Sequence, residues 1–162
     1  MLLKGKKALI VGVANERSLA WAIAQNFKRE GAEIALTYVN DAIKKRLDPL
    51  AHELGSKIVL PCDVGSDESI SQMYKDLSKH WDKFDILIHS VAFANKEELT
   101  GNFVTTTREG FRLALDISAY SLIALVKEGL PMMNEGGSVL TLTYLGATKV
   151  VQNYNVMGVA KA

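Results

Sequence analysis

Five short apolar runs, spaced so that a helix fits between most of them, constrain this chain more than any other feature. They are Ala8-Leu9-Ile10-Val11, Ile34-Ala35-Leu36-Thr37-Tyr38, Ile58-Val59-Leu60, Ile86-Leu87-Ile88 and, after Gly136-Gly137, residues 138–143. The first four are brief and rich in branched side chains, as strands buried on both faces are. Between them lie amphipathic segments at 18–29, closed by Gly31, at 41–54, closed by Gly55, and at 67–81, opened by Ser66 with Asp67 and Glu68 in the first turn. Strand and helix therefore alternate, which predicts an α/β fold: a doubly wound, Rossmann-type parallel sheet with helices on both faces. At 162 residues the chain fits a single dinucleotide-binding domain, residues 1–162.

The fourth connection is different. A polar loop at 94–107 leads into a long helix expected over 108–130, ended by Pro131. Its apolar residues, among them Phe111, Leu113, Ile117, Tyr120 and Ile123, surround most of the circumference. A helix of that kind is covered on more than one side, and in an outer layer the second cover is most simply another subunit.

Charge and cysteine content narrow the partners. Lys and Arg number 19 against 18 Asp and Glu, a net charge of +1, so no basic field exists to hold nucleic acid. The one cysteine, Cys62, has no internal disulfide partner, which fits a reducing compartment. No apolar stretch reaches the roughly 18 residues of a membrane span, and the basic start, residues 1–7, has no signal-cleavage pattern. We expect a cytoplasmic protein without membrane insertion.

Several residues at the carboxyl ends of the expected strands carry candidate chemistry. The first strand ends at Gly12 and runs through Asn15 to Ser18 and Leu19 into a helix; small residues there let backbone amides approach a pyrophosphate, although Ser18 as an ordinary N-cap explains the same turn. The third strand runs out into Cys62-Asp63-Val64 and the fourth into Ser90-Val91-Ala92-Phe93-Ala94. Asp63 suits either an adenine amino group or a turn. Tyr154 and Lys161 are seven positions apart, about 20° short of two helical turns and about 10.5 Å along the axis, so on a helix they share a face. A phenol and an ammonium so placed suit a reduction in which the substrate oxygen gains charge; a surface pair on an amphipathic helix fits the spacing as well. His52, His80 and His89 are scattered, and no metal site is expected. Lys44-Lys45-Arg46 suit a 2′-phosphate or a solvated helix face, and Met132, Met133 and Met157 suit packing.

Taken together, Gly12-Val13-Ala14 with Ser18-Leu19-Ala20, Cys62-Asp63-Val64, residues 89–94, Tyr144-Leu145-Gly146-Ala147 and Tyr154 through Lys161 resemble the bacterial enoyl-acyl-carrier-protein reductases, a divergent branch of the short-chain dehydrogenases/reductases. Most of that superfamily keeps Lys four residues after the Tyr, where this chain has Gly158; the longer interval marks the enoyl reductases. The resemblance implies catalytic roles for Tyr144, Tyr154 and Lys161, with Tyr154 at the thioester carbonyl and Lys161 on the cofactor ribose. It implies pyrophosphate contacts at Gly12, Ser18 and Leu19, adenine contacts at Asp63 and Val64, and further cofactor contacts at Val39, Ser90 and Val91. Ala94, with the two tyrosines, would meet the acyl substrate. Val39 stands where relatives often have a polar residue. NADH is the expected cofactor, with NADPH as the alternative, an enoyl thioester on acyl carrier protein the substrate, and a homotetramer the assembly. The same fold also supports a carbonyl reductase or a non-catalytic dinucleotide-binding module. Lys161 is the penultimate residue, so the resemblance further implies that the family's C-terminal strands and substrate-covering loop lie outside this chain.

Overall fold

The structure, a computed structural model, describes all 162 residues. Internal contacts divide them into two compact units, Met1–Ser90 with Ala124–Thr141, and Val91–Ile123 with Leu142–Ala162.

The first unit is built on the apolar runs. They form β1 (Lys7–Val11), β2 (Glu33–Tyr38), β3 (Ile58–Pro61), β4 (Phe84–His89) and β5 (Met133–Thr141), all parallel, in the order β3-β2-β1-β4-β5. Side chains alternate across a strand. Ala8, Ile10, Ile34, Leu36, Ile86 and Ile88 accordingly share one core with α1 (Leu19–Arg29) and α2 (Asp41–Leu54). The intervening residues Leu9, Ala35 and Leu87 are equally buried and serve the opposite face. There α3 (Asp67–Leu77) supplies Ile70, Met73, Tyr74 and Leu77, and the Tyr74 hydroxyl donates to the Leu125 carbonyl at 2.9 Å. Gly129 permits this approach, because a Cβ at that position would lie 2.5 Å from the Tyr74 hydroxyl.

Local signals set the helix ends. Asn40 accepts from the Ile43 amide and Ser66 from the Ser69 amide, and Gly55 closes α2 in the left-handed region at φ 65°. The expected third helix is shorter than 67–81: after Leu77 the chain tightens into turns that still bury Trp81. The fifth strand differs more. It begins at Met133, five residues before the expected start, and ends at Thr141. Phe84 pairs with Met133 and Ile86 with Ser138, so β5 absorbs extra residues where Gly136 turns at φ 74°. It forms the sheet edge and is exposed through most of its length. His89 is fully buried in β4, its Nδ1 lying 2.9 Å from Thr141 Oγ1 on β5.

The second unit has little sheet to build on. It contains α4 (Arg108–Leu115), the start of α5 (Ser121–Gly129), α6 (Asn155–Lys161) and short 3-10 turns at Lys96–Glu98, Phe103–Thr105 and Leu145–Ala147. The expected continuous helix over 108–130 is present but not uniform, because Asp116–Tyr120 between α4 and α5 is π-helical and Leu130–Met132 is 3-10. Thr107 caps α4 by accepting from the Gly110 amide. The buried Glu98 accepts in turn from the Thr107 amide at 3.1 Å and from its hydroxyl. Gly110 leaves room for that carboxylate, since a Cβ there would overlap it. No helix of the chain is long and apolar enough to cross a membrane.

Candidate active site

In the first unit the strand order reverses between β1 and β4, and in open parallel sheets ligands bind beyond the carboxyl ends at such a point. Gly12 lies there at φ 115°, and a Cβ on it would stand 2.0 Å from the Ser90 carbonyl oxygen. Only glycine lets the loops after β1 and β4 come this close. The chain then folds on Asn15: its side-chain oxygen accepts from the Arg17 amide at 2.9 Å, and its carbonyl accepts the Ser18 amide at 3.1 Å and hydroxyl at 2.6 Å. Ser18 is the N-cap residue by position, yet its hydroxyl does not cap α1. The first amides of a helix have no partner within it, and no acidic side chain occupies the first turn of α1. This turn therefore suits an anionic group.

The neighbouring strand ends hold the other residues expected to contact a dinucleotide. Leu19 and Val39 are exposed. Asp63 Oδ1 accepts from the Gly65 amide at 2.9 Å, so the turn role considered for this carboxylate is real, whatever else it contacts. Val64 is partly buried. The Cys62 thiol is buried, and burial pushes its pKa up to about 12, which makes it a packing group rather than a nucleophile. Lys44, a candidate for a 2′-phosphate, pairs with Asp48 at 2.8 Å and lies 5.7 Å from the Tyr38 ring centroid.

In the second unit the structure brings Tyr144 and Tyr154 together, and Lys161 ends the short helix that Tyr154 caps. The rings of Tyr144 and Tyr154 meet edge to face with centroids 4.8 Å apart. The helix begins one residue later than expected, at Asn155; Tyr154 is its cap, at φ −127° and ψ 0°, and its carbonyl accepts the Gly158 amide at 2.8 Å. Burial, with Tyr144 beside it, raises the Tyr154 pKa, so the phenol keeps its proton at neutral pH. Burial lowers the Lys161 pKa. The Lys161 ammonium donates to the Leu142 carbonyl at 2.9 Å, and its own carbonyl accepts from the Thr143 hydroxyl at 3.0 Å. Both side chains are thus partly buried and held, unlike a freely solvated pair on a helix surface.

Three further groups order this unit, and sequence reasoning passed over all of them. The Ser118 hydroxyl, in the π-helical stretch, accepts from the Phe93 amide at 3.0 Å and donates to the Phe93 carbonyl at 3.1 Å. This fixes the peptide between Val91 and Ala94. Asn155 donates to the carbonyls of Thr100 at 3.3 Å and Gly101 at 3.1 Å, beside Tyr154 in sequence. Glu98 is the third. A serine in the expected long helix marks Ser118 no more than it marks Ser121, and nothing local marks the partners of Asn155 or Glu98.

A profile of the family described as Enoyl-(Acyl carrier protein) reductase matches residues 12–162. The NADH enoyl-[acyl-carrier-protein] reductase FabI of Aquifex aeolicus is 53% identical over 162 residues, covering 99% of this chain and 60% of that protein. The crystal structure of an enoyl-[acyl-carrier-protein] reductase (NADH) from the same organism superposes with a TM-score of 0.97 at 52% identity, over 99% of this chain and 64% of that one. The corresponding Anaplasma phagocytophilum reductase, solved in complex with NAD, gives a TM-score of 0.96 at 50% identity and 62% coverage. The chain thus spans about 60% of the length of the curated relatives it matches. Because that profile covers nearly the whole chain, residues 12–162, the chain belongs to the enoyl-acyl-carrier-protein reductase family.

Proposed function

We propose that the protein carrying this chain is an NADH-dependent enoyl-acyl-carrier-protein reductase, which reduces the trans-2 double bond of enoyl thioesters in the last step of fatty-acid elongation. The observation that carries this reading is Tyr154: a partly buried phenol, protonated at neutral pH, seven residues before a held lysine. NADH supplies the hydride, which adds to the β-carbon of the substrate. Charge then collects on the thioester oxygen, where the Tyr154 hydroxyl donates a hydrogen bond, and a solvent proton at the α-carbon completes the saturated product. Tyr144 supports that phenol from the side, and Ala94 leaves space for the acyl chain. Gly12, Ser18 and Leu19 take the pyrophosphate, Asp63 and Val64 the adenine, Val39, Ser90 and Val91 the rest of the dinucleotide. Lys161 turns from the Leu142 carbonyl to the nicotinamide ribose. NADH is favoured over NADPH because Lys44, a cation suited to a 2′-phosphate, is already paired with Asp48.

We read residues 1–162 as part of one reductase domain of a cytoplasmic enzyme. Exposed Phe111, Tyr120 and Ile123 support self-association, with a homotetramer as the expected assembly, checked by light scattering of the full-length protein. The activity is tested by Tyr154→Phe and Lys161→Ala in that protein, assayed with NADH and a crotonyl thioester. Tyr154→Phe is expected to lower turnover about 10²–10³-fold with NADH affinity nearly unchanged. Lys161→Ala is expected to weaken NADH binding as well, read by calorimetry. Wild-type turnover in the phenylalanine variant would remove Tyr154 from the mechanism.

A further inference from the structure

Gly146 and Gly158, in the second unit, have no backbone reason to be glycine. Gly12 and Gly136 sit at φ 115° and 74°, whereas Gly146 and Gly158 lie outside that left-handed range. Gly158 is inside α6, where glycine is among the poorest helix formers. Space explains both. A Cβ on Gly146 would lie 2.4 Å from Cδ1 and 2.9 Å from Cε1 of the Tyr154 ring, and 3.2 Å from Cδ1 of Tyr144. A Cβ on Gly158 would lie 2.9 Å from the Gly146 carbonyl oxygen and 3.8 Å from the same Tyr154 carbon. The two glycines therefore stack: the helix rests on the Gly146 peptide, and the Tyr154 ring rests on the bare Cα of Gly146.

We propose that Gly146 and Gly158 are positioning residues for the Tyr154 phenol, holding its ring against Tyr144, and that a side chain at either position displaces it. The proposal rests on the reading of Tyr154 as the carbonyl-binding group. At Gly146 the obstacle is a ring carbon bonded into a rigid plane, so an added methyl is accommodated only by turning or displacing the phenol itself. Hydrogen-bonded catalytic groups lose rate steeply with displacement, about 10²-fold for 1 Å.

The test is a pair of double-mutant cycles in the full-length enzyme: Gly146→Ala and Gly158→Ala, each alone and combined with Tyr154→Phe, with kcat, KM for a crotonyl thioester, NADH affinity and thermal melting measured for all. Gly146→Ala is expected to lower kcat by about 10- to 100-fold and Gly158→Ala by less, with NADH affinity unchanged. In the Tyr154→Phe background, where no hydroxyl remains to misplace, either alanine is expected to cost less than about twofold. A merely structural role lowers kcat by the same factor in both backgrounds, and that result overturns the proposal, as does wild-type turnover in both alanine variants. Gly158→Ala needs the smaller shift and keeps the test open if Gly146→Ala does not fold. If Tyr154→Phe itself turns over normally, the reading of Tyr154 fails and the positioning role goes with it; if only the cycles are multiplicative, the reading stands and the positioning role alone is lost.

Discussion

The two units of this chain are ordered by different forces. In the sheet-bearing unit Ala8, Leu9, Ile10, Ala35, Leu36 and Leu87 are essentially without solvent exposure, and ordering follows from burying branched side chains on both faces of the inner strands β2, β1 and β4. In the unit that carries Tyr144, Tyr154 and Lys161, side chains pin backbone groups instead: Ser118 on Phe93, Glu98 on Thr107, Asn155 on Thr100 and Gly101, Lys161 on Leu142. Apolar burial sums over many contacts and is insensitive to small shifts in any one of them. A pin is a single directional bond that sets one peptide. The contrast suits the tasks proposed for them, since a dinucleotide needs a firm floor while a phenol and an acyl chain need loops held at chosen points.

The largest expected effect comes from the core. Leu36→Ala removes a fully buried side chain of β2 and is expected to cost about 2–5 kcal/mol in urea denaturation, with amide protection lost across the whole sheet. Ser118→Ala sharpens the comparison. It removes both bonds to Phe93 and is expected to cost about 1–3 kcal/mol, with faster amide exchange confined to the segment around Phe93. Exchange that spreads through the sheet in that variant would break the distinction between summed burial and local pins.

Asp85 gives the smallest effect and is one of the polar exceptions inside the apolar unit. Burial works to raise its pKa, but bonds from the Lys7 amide at 2.9 Å, the Lys6 ammonium at 2.9 Å and the Asn134 amide group at 3.0 Å outweigh it and hold the carboxyl below its ordinary 3.8. A depressed folded-state pKa stabilises above the unfolded value and is lost as pH falls through the folded one. Melting temperatures taken while the pH is lowered below 3.8 are therefore expected to fall less steeply for Asp85→Asn than for the parent. An unchanged slope would mean that the three donors do not act on the carboxylate.

Legibility follows the same divide. The alternation of strand and helix, the cap at Ser66 and the closing turn at Gly55 are written in neighbouring residues, and the structure has them as expected. The entry to β5 is not, because its extra residues are absorbed only when Met133 finds Phe84. The π-helical stretch at Asp116–Tyr120 was equally hidden: periodicity reports that a segment is helical but not that one turn widens. At the candidate site, Tyr154 and Lys161 were visible through their spacing, while the cap geometry of Tyr154 and the bond from Lys161 to Leu142 were not.

The sequence by itself determined that strands and helices alternate, that the central strands are buried on both faces, and that a phenol and an ammonium recur at an interval suited to one site. Those are properties of consecutive residues, whose backbone dihedrals and side-chain periods are set locally. Tertiary structure alone decided that Gly12 lies against Ser90, that Ser118 clamps a peptide 25 residues away, that Asn155 reaches carbonyls 54 and 55 residues away, and that Gly146 carries the Tyr154 ring. Such pairings depend on how the chain closes on itself, and closure is chosen by the packing of the whole core, which no window of neighbouring residues contains.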